Sequence, residues 1–354
     1  ERETGRLLGE TDPIGAILVR NCRQYKSVVR MLLARGTQEF YAISKELYGS
    51  PKDLFGDDAT SLCDLGVMMY DVLVGLRDDQ LGESYPKNLT AEQAVAILNE
   101  GFLEYFQDDS IRAKLDDGIL SDAAAGADYV KVKRDAMFSV RDVEILEVHE
   151  GWVHVGTTRN GMTQHVATWL AKGPPCTTAT QEGLAVLMEV LSFVSLPARL
   201  KKLNNRILAI DKAEDGADLL DVIEFYRTEG LSEQQCIQNA QRVFRGGLVE
   251  GGAPFTKDLS YCRGLVENYN FLQTCVRFGR PELIPFLFAG KVTLEDVPVL
   301  YEKWREGVVD RPRHVPRQFL DLNGLAVWLA YSNFFDRIDL RKVQARLKSV
   351  IFPK

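Results

Sequence analysis

A chain of 354 residues, 45% of them hydrophobic, can bury a large core, and its formal net charge of -7 argues against a general nucleic-acid binder while leaving local basic grooves open. No apolar stretch of about twenty residues suggests a membrane span. Six cysteines, Cys22, Cys63, Cys176, Cys236, Cys262 and Cys275, lie far apart without a C-x-x-C pair, a pattern that points to reduced thiols in a cytoplasm. The first residue is not methionine, so loss of an upstream segment stays open. In chain order, Ile14 to Leu33, Gln38 to Leu47, Ser61 to Leu76 and Ala91 to Phe106 repeat apolar residues at three- and four-residue intervals and are expected to be helices packed by their apolar faces. Thr90 with Gln93 reads as a capping box for the last of these. Asp128 to Lys133 alternates in the manner of a strand and trails into Ala136-Met137-Phe138, after which Ser139 is placed to cap a helix.

That next helix carries His149-Glu150-Gly151-Trp152-Val153-His154. Neutral imidazoles with a carboxylate are ligand types for zinc with one position open, and Glu150 beside the first imidazole could take a proton from water. The usual H-E-x-x-H spacing puts two histidines about 40° apart around a helix; here the gap is one longer, which rotates the second by roughly 140°. A regular helix therefore cannot bring His149 and His154 to one ion. A π-bulge or an unwound last turn would, and Gly151 in the spacer eases such a distortion. The alternative is that Trp152, Val153 and Val155 bury one side of a helix while the histidines make local hydrogen bonds. The third ligand is Glu182, in Gln181-Glu182-Gly183-Leu184-Ala185, near the start of a helix whose apolar run extends from Leu184 to Leu196. Its other reading is a first-turn acid complementing the helix dipole. Residues 134–138 are assigned as an edge strand for an extended substrate, because main-chain hydrogen bonds hold a peptide whatever its side chains; a hairpin without substrate contact is the alternative.

Further on, Pro197 to Lys212, Ala217 to Glu229 and Ser232 to Arg245 read as helices, with Ser232 and Gln235 as a capping box. Arg242 and Arg245, three apart, are candidates for bidentate capture of a carboxylate, or they complement a helix C-terminus. Gly246 to Gly252 is glycine-rich but lacks the Gly-Lys-Ser/Thr of a phosphate loop. Lys257 and Tyr261, one helical turn apart, are candidates for stabilising an oxyanion, with Tyr261 favoured; a core tyrosine and a solvated Lys257-Asp258 pair are the other readings. His165 lies in a turn-rich connection and His314 in a basic loop, and neither is assigned to the site. Asp296 to Glu306, Leu322 to Asn333 and Leu340 to Ile351 read as closing helices.

His149-Glu150-x-x-x-His154, the Gln181-Glu182-Gly183-Leu184-Ala185 stretch, Arg242-Val243-Phe244-Arg245-Gly246 and Phe255-Thr256-Lys257-Asp258 together resemble the QEGLA-motif proteins. That family spans bacterial members labelled as modulators of flavohemoglobin expression and animal microtubule-associated tyrosine carboxypeptidases that remove the terminal tyrosine of α-tubulin. The resemblance runs from about Ile14 to the end and is closer to the bacterial branch. It implies His149, His154 and Glu182 as zinc ligands and Glu150 as the catalytic acid/base. The resulting expectation is a mainly α protein with a small antiparallel β-sheet (α+β) and a gluzincin-like metallopeptidase core. An N-terminal helical part, residues 1–125, and a catalytic part, residues 126–354, are expected to form one compact unit. The expected activity is that of a cytoplasmic, zinc-dependent carboxypeptidase acting on a peptide or protein C-terminus, with a tyrosine-type preference and without nucleic-acid or membrane partners. A zinc hydrolase of a small amide metabolite and a metal-stabilised binding protein are the rival classes.

Overall fold

The computed structural model describes residues 2–8, 12–56, 59–76, 81, 85–119, 121–335, 337 and 339–351. The chain is mainly helical. Its N-terminal helices are α1 (Arg2–Leu8), α2 (Pro13–Leu33), α3 (Gln38–Tyr48), α4 (Leu62–Val74) and α5 (Ala91–Phe106), with a two-residue pairing of β1 (Leu54–Phe55) and β2 (Thr60–Ser61) between α3 and α4. The capping box on α5 forms as read, Thr90 accepting from the Gln93 amide and Gln93 returning the contact. From there Ala94, Leu98 and Phe102, spaced by four, run fully buried down one face.

That face packs on a three-stranded sheet of β3 (Arg112–Asp116), β4 (Ala123–Ala125) and β5 (Tyr129–Lys133). The sheet is mixed rather than antiparallel throughout: β5 is central, parallel to β3 and antiparallel to β4. Parallel pairing follows because the chain doubles back through β4 before β5, so β5 returns in the direction of β3. Strands on both sides of residue 126 thus share one sheet. In β5 Val130 and Val132 point into the core while their neighbours are half-exposed, the period-two signal that marked it in the sequence. Residues 134–138 do not extend the sheet. They turn, and Phe138 makes a lone bridge to Leu89, leaving β4 as the edge beside the histidine-bearing helix.

Downstream, one long helical run comprises α6 (Val140–Leu146), a π-helical turn (Glu147–Val155) and α7 (Gly156–Met162). Then come α8 (Thr178–Leu191), α9 (Pro197–Glu214), α10 (Leu219–Thr228), α11 (Glu233–Phe244), a 3-10 turn (Thr256–Leu259), α12 (Ser260–Arg277), a 3-10 segment (Pro281–Phe288), α13 (Asp296–Arg305), α14 (Arg317–Leu320), α15 (Leu322–Phe335) and α16 (Arg341–Ile351). Helix α12 has no counterpart among the elements expected from the sequence, because its inward residues include Ser260, Gly264 and Asn268 instead of a leucine stripe. Helices α8 and α12 pack backbone against backbone, so that a Cβ on Gly183 would lie 1.9 Å from the Gly264 carbonyl carbon and one on Gly264 1.8 Å from the Ala179 oxygen. Only glycine at both positions permits that contact. Among the described residues no helix is long and apolar enough to cross a membrane. All six cysteines are free.

Candidate metal centre

The π turn sits between two apolar clusters. Val148 and Val153 enter the core shared with α8, α12 and α15, whereas Val143 and Val155 enter the one beneath α5 and the sheet. Anchored on both sides, the turn presents His149, Glu150 and His154 to α8 and β4. A π turn closes i to i+5, so histidines five apart come onto one face. Their ring centroids are 4.9 Å apart and nearly perpendicular. Gly151 is needed for a reason invisible in the sequence: a Cβ there would lie 2.3 Å from the Phe102 ring.

Opposite, α8 supplies Glu182. Its Oε2 lies 3.5 Å from His149 Nε2 and 3.4 Å from His154 Nε2, is buried, and has no hydrogen-bond partner. One ligand atom from each of the three lies within 4.8 Å of the other two. Burial by itself would raise the Glu182 carboxyl, but the two imidazoles hold it well below the usual carboxylate range. The rest of the Gln181-Glu182-Gly183-Leu184-Ala185 stretch is equally committed. Gln181 anchors the π turn from below, Gly183 makes the α12 contact, and Leu184 and Ala185 are fully buried.

Several residues that the sequence reading passed over hold this trio in place. Glu189, fully buried one heptad beyond Glu182, meets His149 Nδ1 at 2.7 Å and receives Arg199 Nε and Nη2 at 2.6 Å each. A carboxylate on Nδ1 fixes the tautomer that leaves Nε2 free for a ligand role. Burial depresses His149, yet Glu182, Glu189 and Glu150 around it raise it to about 9. A lone glutamate inside the apolar run Leu184 to Leu191 was the available signal, since a carboxylate there needs a buried partner. Lys291 Nζ donates to the His154 carbonyl, Thr157 Oγ1 and Gln181 Oε1 at 2.9–3.0 Å and so ties the π turn to α8. Burial pushes its ammonium down to about 8, against the pull of Glu182 and Glu150. Nothing in its local sequence marks it.

Glu150 lies on the β4 side of the cluster, where the Ala125 amide donates to its Oε2 at 2.9 Å. Tyr261, in the first turn of α12, sets its ring 6.4 Å from that of His149 and tilted only 24° from it. Burial and the nearby Glu182 push its phenol up, so it stays protonated and able to donate. The two arginines part company. Arg242 is bound bidentately to Asp258 at 2.8 and 2.9 Å beneath Tyr261, whereas Arg245 is exposed at the end of α11 and lies over the Phe255 ring, 5.4 Å from its centroid. Helix α11 ends between them, so the three-residue spacing no longer describes a common face. Lys257 lies on the 3-10 turn beside Asp258, with no hydrogen bond to the trio. His165 pairs with Asp310 on the surface, and His314 packs edge-on against Phe106.

Two imidazoles and a carboxylate, with a second carboxylate alongside, are a donor set that could hold a divalent metal ion, and the orphaned Glu182 oxygen fits that use. Fold and site together define a mainly helical protein built around such a cluster. The sequence profile of the microtubule-associated tyrosine carboxypeptidases matches residues 2–337, and the chain belongs to that family. Among the curated proteins compared, none matches it.

Proposed function

We propose that this protein is a zinc-dependent carboxypeptidase with a gluzincin-like core, histidines on one helix and the third ligand on the next. The observation that carries the reading is the buried, partnerless Glu182 Oε2 facing both imidazole Nε2 atoms. Zinc held by His149, His154 and Glu182 would polarise a peptide carbonyl and acidify water. Glu150, oriented by the Ala125 amide, takes the proton from the attacking water and passes it to the leaving amine. Tyr261 donates to the oxygen on which negative charge develops. An extended peptide adds to the free edge of β4, the sheet edge at the π turn, rather than to residues 134–138. Family membership supports removal of a C-terminal residue, with tyrosine the first side chain to try. Free cysteines support a reducing, cytoplasmic setting.

The zinc-loaded protein should release one residue at a time from the C-terminus of peptides ending in tyrosine, read by mass spectrometry. Glu150→Gln should keep its metal content and melting temperature while hydrolysis falls about a hundredfold to ten-thousandfold. Internal cleavage, or undiminished hydrolysis by Glu150→Gln, would overturn the proposal.

A further inference from the structure

The last two helices leave much of their apolar surface uncovered. Helix α15 buries Leu325 and Leu329 in the core it shares with α8 and α12, and Tyr269 of α12 meets it through Ser332 and the edge of the Trp328 ring. Its outer face carries Val327, Trp328, Tyr331, Phe334 and Phe335, each between 43% and 60% exposed. At about 100° per residue these five fall within an arc of roughly 120°, a single stripe along the helix. The stripe is continuous, the Phe335 ring lying 6.3 Å from that of Tyr331 and 5.5 Å from that of Phe334. On α16, Leu347, Val350 and Ile351 follow at the spacing of one helix face and are at least half exposed. Folded proteins rarely leave contiguous aromatic surface of this kind to water unless it meets a partner. The charge beside it is equally one-sided. Residues 336–354 carry six lysines and arginines against two aspartates, in a chain whose net charge is -7. One of those aspartates, Asp339, is engaged by Arg341 at 2.8 Å ahead of the helix, and α16 itself contains no carboxylate. Helix α16 also lies beyond residue 337, where the match to the family profile stops.

The charge selects the occupant. A second copy paired about a two-fold axis would set the patch against itself and bring two basic segments together, which like-charge repulsion opposes. An anionic bilayer satisfies both features at once. Tryptophan, tyrosine and phenylalanine place their rings at the headgroup level, and lysines and arginines on the polar side of an amphipathic helix meet the lipid phosphates and carboxylates. We infer that α15 and α16 dock the protein on the surface of a bilayer rich in anionic lipid, without spanning it. The aromatic stripe of α15 and the apolar side of α16 enter the headgroup layer, while the cations of residues 336–354 hold it by charge. No membrane partner was expected from the sequence because no stretch is long and apolar enough to span; a helix lying in the interface needs no such stretch. The inference stands apart from the carboxypeptidase reading, since Tyr331, Phe334, Arg341 and Lys348 are outside the metal centre.

The test is flotation of the full chain with vesicles of phosphatidylcholine alone and of phosphatidylcholine mixed equally with phosphatidylserine. Binding to the mixed vesicles should be at least about tenfold tighter, and raising the salt from about 0.1 M to about 0.5 M should remove most of that difference. Trp328 emission should move to shorter wavelength on the mixed vesicles, a change that Trp328→Phe abolishes. The double variant Tyr331→Glu, Phe334→Glu, at two exposed positions where folding is not at stake, should weaken binding about tenfold to a hundredfold. Arg341→Gln with Lys348→Gln should weaken binding to the mixed vesicles about fivefold to twentyfold and leave phosphatidylcholine alone unchanged. Thermal unfolding of both double variants should match the parent. Equal binding to the two kinds of vesicle overturns the inference, as does binding to neither or binding unmoved by the substitutions. A lipid-free dimer in sedimentation that Tyr331→Glu, Phe334→Glu dissociates, with no flotation, assigns the face to a second copy instead. Capture of polyglutamate without flotation assigns it to an acidic polypeptide and equally overturns the membrane reading.

Discussion

Two polar regions meet at Tyr261, and they are built on opposite principles. Around the π turn nearly every buried polar group has its partner inside the protein: His149 on Glu189, Glu189 on Arg199, and the His154 carbonyl and Gln181 on Lys291. The exceptions there among the described residues are the Trp152 indole nitrogen and the Glu182 oxygen aimed at both imidazoles. Across the ring, the α9 wall keeps two guanidinium nitrogens of Arg206 unsatisfied. The first region is preorganised, so that ligand atoms converge without further cost on binding. The second leaves these two donors without an acceptor among the described residues. A nearly complete internal network and a less complete one are thus separated by one aromatic ring.

The comparison breaks most visibly if the satisfied side proves tolerant. Arg199→Met strands a fully buried Glu189 and should cost about 3–5 kcal/mol in urea unfolding. The same change should weaken zinc binding about tenfold to a hundredfold in chelator competition, because the support of His149 is lost. Gly183→Ala comes next. Its Cβ meets Gly264 backbone at 1.9 Å, which no side-chain motion relieves, so α8 and α12 must separate at a cost of about 3 kcal/mol. A stability unchanged in either variant would show that the packing around the trio is not what sets its geometry.

Acid titration sharpens the other side. The Asp258 carboxyl lies below its ordinary value of 3.8 because Arg206 and Arg242 outweigh the effect of burial. The unfolded chain therefore binds that proton at higher pH than the folded one. The stabilising contribution is complete above about pH 4 and is lost as pH falls through the lower folded value. Urea midpoints measured from pH 6 to pH 3 should accordingly fall less steeply for Asp258→Asn than for the parent. The smallest effect is expected for Arg206→Met. Asp258 loses one of its two cations but keeps its bidentate bond to Arg242, so stability should fall by less than about 3 kcal/mol, in contrast to Arg199→Met two turns away. Equal losses in Arg199→Met and Arg206→Met would erase the distinction between the two regions.

Much of the framework was legible from local patterns. Helix α5 spans the residues its periodicity marked, α2, α3 and α9 differ at their ends by a residue or two, Thr90 and Ser232 cap where their partners three residues on indicated, and Ser139 caps as expected. The five-residue gap between His149 and His154 required a distorted helix, and the π turn is one of the two distortions it allowed. Such features are local, and spacing along the chain determines them. Helix α12 was not legible, since its inward face is built from small and polar residues whose fitness appears only against α8.

By itself the sequence picked out His149, His154 and Glu182 as residues of metal-ligand type and marked the turn bearing two of them as one that could not be a regular helix if both faced one ion. Only the tertiary structure decided what surrounds them. It chose β4 over residues 134–138 as the edge strand, separated Arg245 from Arg242, and brought Glu189, Arg199 and Lys291 to the histidine-bearing turn and Arg206 to Tyr261. The physical reason is that helical and strand periods act over a few residues, whereas the pairing of a buried charge depends on partners distant in the chain. Lys291 lies 137 residues from the carbonyl it holds, and no local pattern encodes such a contact.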